Sequence, residues 1–219
     1  MRTDTVKSIE ENKLIVNMKG FSPDTLLYSA EALIKGGIKA IEIPFIMGGD
    51  EAAEREVLLK IGAIKKCFGK DVKVGGGNVM SDRAVKLAKG AGADFISAPN
   101  ICREVLERAS AVGVATIPGG YTVSEIANAK ALGADFVTLY PTLSGPDQHY
   151  AKVITETLPD VKIMAAGDID FNDIAPLYKA GIRYFTISGS LANHTLAQKQ
   201  EYGIMELEAK RYVDFLASL

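Results

Sequence analysis

A short phrase recurs along this chain, in which a glycine is followed closely by a run of apolar, β-branched or aromatic residues. It occurs as GGIKAIEIPF (36–45), GADFISAP (92–99), GADFVTLYP (133–141) and AGIRYFTISG (180–189). Glycine just after a helix adopts positive φ without a steric penalty, and a short apolar run bounded by such a signal is typical of a buried strand. Each phrase therefore predicts the end of a helix and the start of a strand.

Four further apolar runs lie between these phrases and complete a set of eight. The predicted strands lie near 14–18, 40–45, 72–77, 94–99, 114–119, 135–140, 162–167 and 184–189. Helical patterns separate them, and strict alternation of strand and helix predicts a parallel sheet with right-handed crossovers. Eight such units in 219 residues predict one α/β domain over 1–219, a single (β/α)₈ TIM barrel.

The competing architecture is an open, doubly wound sheet that binds a dinucleotide. That fold usually carries a glycine-rich loop after its first strand, and the segment LIVNMKGFSPD (14–24) has none. The glycines at 75–77 follow the third strand instead, and Met80 stands where the last glycine of a GxGxxG motif would be. The barrel is therefore the favoured prediction.

Active sites of such barrels form where the strands end, and Glu42 is the most informative residue there. It places a carboxylate inside the apolar run AIEIPF. Ile41 and Ile43 suit the side that faces the helices, so Glu42 should point into the barrel. Burying a charge is costly unless it is paired or functional. We expect an acid/base group, with a structural carboxylate bonded to backbone N–H groups or Lys73 as the alternative.

Glycines also end the seventh and eighth strands, in AAGDID and ISGSLAN. In many barrels these two loops hold a phosphate, so Gly167 and Gly189 are candidates for anion binding. Asp168 argues against it, because a carboxylate repels phosphate, and a sugar hydroxyl or a cationic ligand is the alternative. Carboxylates at Glu42, Asp168 and Asp170 are also suitable ligands for a divalent metal, although their spacing does not demand one.

Composition excludes several classes of function. The net charge is −2, so no polybasic surface indicates nucleic acid. No apolar run is long enough to cross a bilayer, and the first residues lack the apolar stretch of a signal peptide. Cys67 and Cys102 have no CxxC spacing, which favours free thiols in the cytoplasm.

Several of these phrases resemble the 2-keto-3-deoxy-6-phosphogluconate (KDPG) and 4-hydroxy-2-oxoglutarate (KHG) aldolases. The similarity extends over roughly 10–195, and IPGGYTVSE (117–125) is its most specific part. The other matching phrases are GGIKAIEI, VGGGNV, FVTLYP, AAGDI and ISGSL. The resemblance implies homotrimeric carbon–carbon lyases of small 2-keto acids, with or without a phosphate, that need no cofactor. In that family a lysine on strand six forms a Schiff base and a glutamate on strand two moves protons.

Carried onto this sequence, the resemblance places Glu42 at the glutamate but Thr138 at the lysine. A threonine cannot form an imine, so Schiff-base chemistry of the ordinary kind is not expected. Lys73, between Val72 and Val74, is the substitute that the pattern offers. The resemblance also places Asn78 at a threonine of the family, Ile46 at an arginine and Asp168 at a glycine, and it keeps Ser190. The candidate catalytic positions are Glu42, Thr138, Lys73 and Asn78, and the candidate substrate- or phosphate-binding positions are Gly76, Gly77, Pro99, Pro118, Gly119, Tyr140, Gly167, Asp168, Gly189 and Ser190.

Three functions are compatible with these residues. The first is an aldolase-like lyase with Glu42 as acid and base. The second is a diverged sugar-phosphate epimerase or isomerase, or a metal-assisted aldolase, that pairs Glu42 with Asp168. The third is a barrel that binds a metabolite without catalysis.

Overall fold

The computed structural model describes residues 2–143 and 147–219. Eight parallel strands form a closed barrel in chain order. The strands are β1 (Leu14–Asn17), β2 (Ala40–Pro44), β3 (Lys73–Gly77), β4 (Phe95–Ala98), β5 (Ala115–Gly120), β6 (Val137–Leu143), β7 (Ile163–Asp168) and β8 (Tyr184–Ile187). The predicted (β/α)₈ barrel is confirmed.

Helices alternate with the strands, and their ends follow local signals in the sequence. Ser81 and Thr122 each accept a hydrogen bond from a backbone N–H of the helix that they precede, which satisfies an otherwise unpaired donor. The helices are α1 (Arg2–Asn12), α2 (Pro23–Lys35), α3 (Glu51–Phe68), α4 (Asp82–Gly90), α5 (Arg103–Ala111), α6 (Val123–Ala131), α7 (Asp147–Thr157), α8 (Phe171–Lys179), α9 (His194–Gln198) and α10 (Tyr202–Ser218).

Successive side chains of each strand point alternately toward the helices and into the barrel, and this divides the core into two parts. Ile41 and Ile43 belong to the larger cluster between the strands and the helices, as their spacing predicts. A smaller cluster fills the barrel itself and consists of Ile9, Ile15, Ala40, Phe95, Ala115, Ile117, Phe136 and Met164. Phe95 takes up space above Gly75, where an added Cβ would lie 2.2 Å from its ring. The glycine in β3 therefore makes room for an aromatic ring on β4.

The N-terminal end of the barrel is closed by α1, a helix that the sequence reading did not predict. Ile9 of this helix is fully buried against the interior cluster. Arg2 forms an ion pair with Asp135, and Lys73 Nζ lies 2.6 Å from Asp4 Oδ2. Lys73 is thus at the end of the barrel opposite to the ends of the strands, where sites form in this fold. The prediction that Lys73 is a substitute nucleophile, or a partner of Glu42, is wrong for this reason.

Smaller differences concern the borders of elements. β6 continues to Leu143, beyond the predicted 135–140, and pairs with β7 as far as Asp168. In the tail, the short α9 precedes α10. Within the described residues no helix has the length and apolar character needed to cross a bilayer.

Candidate active site

The barrel interior changes from apolar to polar toward the C-terminal ends of the strands. A cavity of about 390 Å³ opens there. Its lining consists of Asn17, Lys19, Glu42, Pro44, Asn78, Ser97, Ala98, Pro99, Thr138, Tyr140, Pro141, Ala166, Gly167, Asp168, Thr186 and Ser188. A concave site with a few convergent polar groups at this end of a barrel is where catalysis is expected.

Glu42 is a buried carboxyl group in this cavity, only 4% exposed. Asn17, its register partner on β1, donates a hydrogen bond from Nδ2 to Glu42 Oε1 over 2.6 Å. The side chain of Ser97 on β4 is a second hydrogen-bond partner. Burial raises the pKa of Glu42 because the charged form loses its hydration, and the two hydrogen bonds offset only part of this effect. A carboxyl group with a raised pKa is suited to donating a proton near neutral pH.

Space for Glu42 is provided by Gly77, which ends β3. A Cβ at Gly77 would lie 2.5 Å from Glu42 Oε1 and 2.8 Å from its Cδ. The next residue, Asn78, has a φ of 55° and donates from Nδ2 to the carbonyl of Phe45 over 2.9 Å. The glycine-rich turn after β3 therefore shapes the Glu42 pocket.

Lys19 brings a positive charge to the cavity from the loop between β1 and α2. Gly20 follows it with a φ of 76°, which reverses the chain. The Nε2 atom of His194 lies 2.8 Å from the carbonyl oxygen of Lys19, and the His194 ring packs on Phe21 with centroids 4.4 Å apart. These contacts hold the loop that carries the ammonium group.

Thr138 lies on β6 with its side chain 6% exposed, at the position where the family resemblance places the lysine. The pairing of β6 with β7 is irregular between Leu139 and Thr142. Tyr140 and Pro141, in that interval, line the cavity, and Tyr140 is exposed at its mouth. Glu42 and Thr138 therefore line one cavity.

Asp168 is an exposed carboxylate at the end of β7 that lines the same cavity. Gly167 precedes it with a φ of 150°, and a Cβ at Gly167 would lie 2.3 Å from the carbonyl oxygen of Thr142. The close approach of β6 thus requires glycine at this position.

Seven of the predicted site residues line the cavity: Glu42, Thr138, Asn78, Pro99, Tyr140, Gly167 and Asp168. The other predicted positions do not. A Cβ at Gly76 would point toward Ala88 in the helix layer, and Pro118 packs near Val105 of α5. Gly119 approaches the carbonyl of Pro99, Gly189 is exposed, and Ser190 Oγ lies 3.3 Å from the hydroxyl of Tyr212.

Nine lining residues are not among the candidate catalytic and binding positions of the sequence analysis: Asn17, Lys19, Pro44, Ser97, Ala98, Pro141, Ala166, Thr186 and Ser188. Ser97 matters most because it contacts Glu42. A polar residue two positions after Phe95 of the interior cluster was the available signal, since residues i and i+2 of a strand share a face.

Within 2–143 and 147–219, no three His, Cys, Asp or Glu side chains come together as a set that could hold a metal ion. Glu42, Asp168 and Asp170 do not form such a group.

Comparison with known proteins decides the family. The family model described as KDPG and KHG aldolase matches residues 7–206. The chain belongs to this aldolase family. It is 31% identical over 170 residues to the 2-dehydro-3-deoxy-6-phosphogalactonate aldolase of Escherichia coli (strain K12), covering 77% of this chain and 78% of the relative.

Solved structures of aldolases share the fold. A structure described as native KDPGal superposes with a TM-score of 0.77 at 26% identity, over 91% of this chain and 95% of that one. The KDPG aldolase of Legionella pneumophila, captured with pyruvate as a covalent carbinolamine, has a TM-score of 0.82 at 20% identity, over 97% and 99% of the two chains. The latter similarity concerns the fold alone.

Proposed function

We propose that this member of the aldolase family cleaves a 4-hydroxy-2-keto acid into a smaller 2-keto acid and an aldehyde, with Glu42 as its acid/base group. The observation that carries the proposal is the buried Glu42 carboxyl, held by Asn17 and Ser97 in the cavity. The family match supports a carbon–carbon lyase.

The reaction breaks the bond between C3 and C4 of the substrate. Its electron pair must move to the C2 carbonyl, and a proton delivered to that oxygen lowers the barrier. Neutral Glu42 supplies this proton and the product leaves as its enol, which tautomerises to the keto acid. The C4 hydroxyl loses its proton to water and becomes the aldehyde, and solvent returns a proton to Glu42. In this scheme the Lys19 ammonium holds the substrate carboxylate.

Thr138 is the reason to propose this route in place of an imine. A hydroxyl group cannot condense with a ketone to form the nitrogen-linked electron sink of a Schiff base. Its position in the cavity with Glu42 suits it to a hydrogen bond with the substrate. Asn78, Pro99, Tyr140 and Gly167 are proposed to contact the substrate as well.

The direct test supplies 2-keto-3-deoxy sugar acids, in both C4 configurations and with or without a 6-phosphate, and measures release of the 2-keto acid product. We expect cleavage by the wild type and a loss of about 10²-fold or more for Glu42→Gln, which keeps the volume but cannot donate an acidic proton. Glu107→Gln on the exposed face of α5 is the matched control. Binding of these acids without turnover would favour a metabolite-binding barrel.

The absence of an imine has its own test. The wild-type protein is incubated with pyruvate and borohydride, digested, and searched by mass spectrometry for reduced pyruvate on each lysine. We expect no adduct. An adduct on Lys19, the lysine that lines the cavity among the described residues, would replace the proposed route with a Schiff-base mechanism.

We also propose that the protein is a cytoplasmic homotrimer that needs no cofactor. Exposed Ile46 and Met80 line one shallow depression beside the cavity, and such exposed apolar surface favours a subunit contact. Light scattering would give the oligomeric state, and activity that survives EDTA would agree with the absence of a required metal.

A further inference from the structure

The loops after β7 and β8 are the place where a barrel of this kind most often binds a phosphate group. Such a site uses free backbone N–H groups, commonly at the first turn of a helix. In this protein Asp168, an acidic residue, lines the cavity at this point. Asp168 ends β7, and its backbone is still paired with Leu143 of β6.

The first turn of α8, which follows Asp168, is occupied by carboxylates of the chain itself. Asp170 Oδ1 accepts a hydrogen bond from the backbone N–H of Asn172 over 2.7 Å. Asp173 Oδ2 accepts one from the backbone N–H of Asp170 over 2.8 Å. Two negative charges thus neutralise the helix end that would otherwise attract an anion.

The loop after β8 also directs backbone donors toward the chain. The carbonyl oxygen of Ser188 accepts hydrogen bonds from the N–H groups of Leu191 and Ala192 over 2.9 and 2.7 Å. The side-chain oxygen of Asn193 accepts from the N–H groups of Thr195 and Leu196. Both loops therefore use several of their backbone N–H groups for hydrogen bonds within the chain.

The charges along the cavity suit a different ligand. Within 2–143 and 147–219, Lys19 is the one cationic side chain in its lining. It can balance one carboxylate. A phosphate ester adds about 1.5 to 2 further negative charges near pH 7 and would meet Asp168 instead of a cation. Hydroxyl groups, in contrast, donate hydrogen bonds to a carboxylate.

We infer that Asp168 selects an unphosphorylated substrate, a 2-keto acid whose far end carries hydroxyl groups, and discriminates against the phosphate ester of the same acid. The inference rests on the proposed lyase function. Lys19 binds the carboxylate end of this substrate, and Asp168 accepts hydrogen bonds from the hydroxyl end.

The test compares kcat/KM for one six-carbon 2-keto-3-deoxy sugar acid and for its 6-phosphate ester. The enzymes are the wild type, Asp168→Asn, Asp168→Gly and the control Asp71→Asn, which is exposed and precedes β3 at the opposite end of the barrel. We expect the wild type and the control to favour the free acid by about tenfold or more. Both Asp168 variants should reduce this preference at least about fivefold, because they remove the negative charge that repels the phosphate group.

Preference of the wild type for the ester, or an unchanged ratio in both Asp168 variants, would overturn the inference. If no variant cleaves either acid, the proposed lyase function fails. The role of Asp168 in selecting the ligand is then tested separately, by measuring binding. Titration calorimetry then uses the two unreactive 2-hydroxy analogues, with and without the phosphate. The dissociation constants of the two analogues are expected to differ by the same factors as kcat/KM does for the two acids. If the preference for the analogue without phosphate is equal in the wild type and in Asp168→Asn, the role of Asp168 is refuted.

Discussion

Asn17 Nδ2 donates to Glu42 Oε1 over 2.6 Å, across the pairing of β1 with β2. Asn17 Oδ1 is buried and has no hydrogen-bond partner within the described residues. An unsatisfied polar atom in a buried position costs stability, and such atoms in native structures are often found at functional sites. The unpartnered atom beside Glu42 supports the proposal that Asn17 positions a catalytic acid.

Removal of this donor gives the first prediction. The hydrogen bond from Asn17 lowers the pKa of Glu42, so Asn17→Ala should raise that pKa further above its ordinary value. If neutral Glu42 donates the proton, the alkaline limb of the profile of kcat against pH moves to higher pH in this variant. Asn100→Ala, at an exposed asparagine after β4, should leave the limb in place. A limb that moves to lower pH in Asn17→Ala would contradict the assignment.

The raised pKa of Glu42 also predicts how stability depends on pH. Above its ordinary pKa of 4.5, Glu42 ionises in the unfolded chain while the folded protein keeps it protonated. The free energy of unfolding therefore falls as pH rises from 4.5 to the pKa of the folded state, and this contribution is constant above it.

Glu42→Gln abolishes this titration. The Tm of the variant minus that of the wild type should increase across that pH window, by about 2–4 °C for each 1 kcal/mol in a chain of this size. Thermal unfolding of the two proteins in parallel from pH 4 to 9 measures the difference. A constant difference would show that Glu42 titrates alike in the folded and unfolded chains.

Gly77 gives a prediction about packing. A Cβ at this position would lie 2.5 Å from Glu42 Oε1, so Gly77→Ala must displace the carboxyl group. Crowding of this kind typically costs about 1–3 kcal/mol, and we expect lower activity together with a lower midpoint in urea. Gly90→Ala near the end of α4 is the control, because no atom outside its own helix lies within 4 Å of the added Cβ. Equal behaviour of the two variants would show that the Glu42 pocket tolerates the extra methyl group.

Lys73 is predicted to be dispensable for activity. Its ammonium group pairs with Asp4, and this pairing lowers the pKa of the Asp4 carboxyl. Lys73→Met should keep the wild-type kcat and KM, measured with the substrate that the wild type cleaves, and Asp4→Ala should behave in the same way. A large fall in kcat for Lys73→Met, without one for Asp4→Ala, would show that Lys73 takes part in the reaction.

The error over Lys73 shows what the sequence could and could not predict. Lys73 and Gly75 share a face of β3, and Gly75 pairs with Glu42, so Lys73 lies on the face of the sheet that carries Glu42. The prediction was wrong about the position of Lys73 along the barrel axis. The predicted strand over 72–77 already begins next to Lys73, and in a parallel barrel the start of a strand lies at the end opposite to the site, so the direction of the chain carried the information that excludes Lys73.

The other successes and omissions depend on whether a feature is local in the sequence. The glycine–strand phrases predicted eight strands, because helix ends and buried runs are local features. The helix α1 was missed because it is largely polar, with only Thr5 and Ile9 buried. Ser97 was missed because its role depends on Glu42, which lies two strands away around the barrel.

Thr138→Lys offers the strictest test of the comparison with the family. Thr138 is buried in the cavity with Glu42, and an amine introduced there loses hydration, which lowers its pKa and favours the neutral nucleophile. We expect this variant, unlike the wild type, to retain reduced pyruvate at position 138 after borohydride treatment. Thr157→Lys, at an exposed threonine of α7, adds the same amine outside the cavity and should carry no adduct. If the folded Thr138→Lys protein forms none either, as judged by circular dichroism and peptide mass spectrometry, the cavity cannot seat pyruvate against strand six. Position 138, where the resemblance places the lysine of the family, would then be unable to support imine formation in this protein.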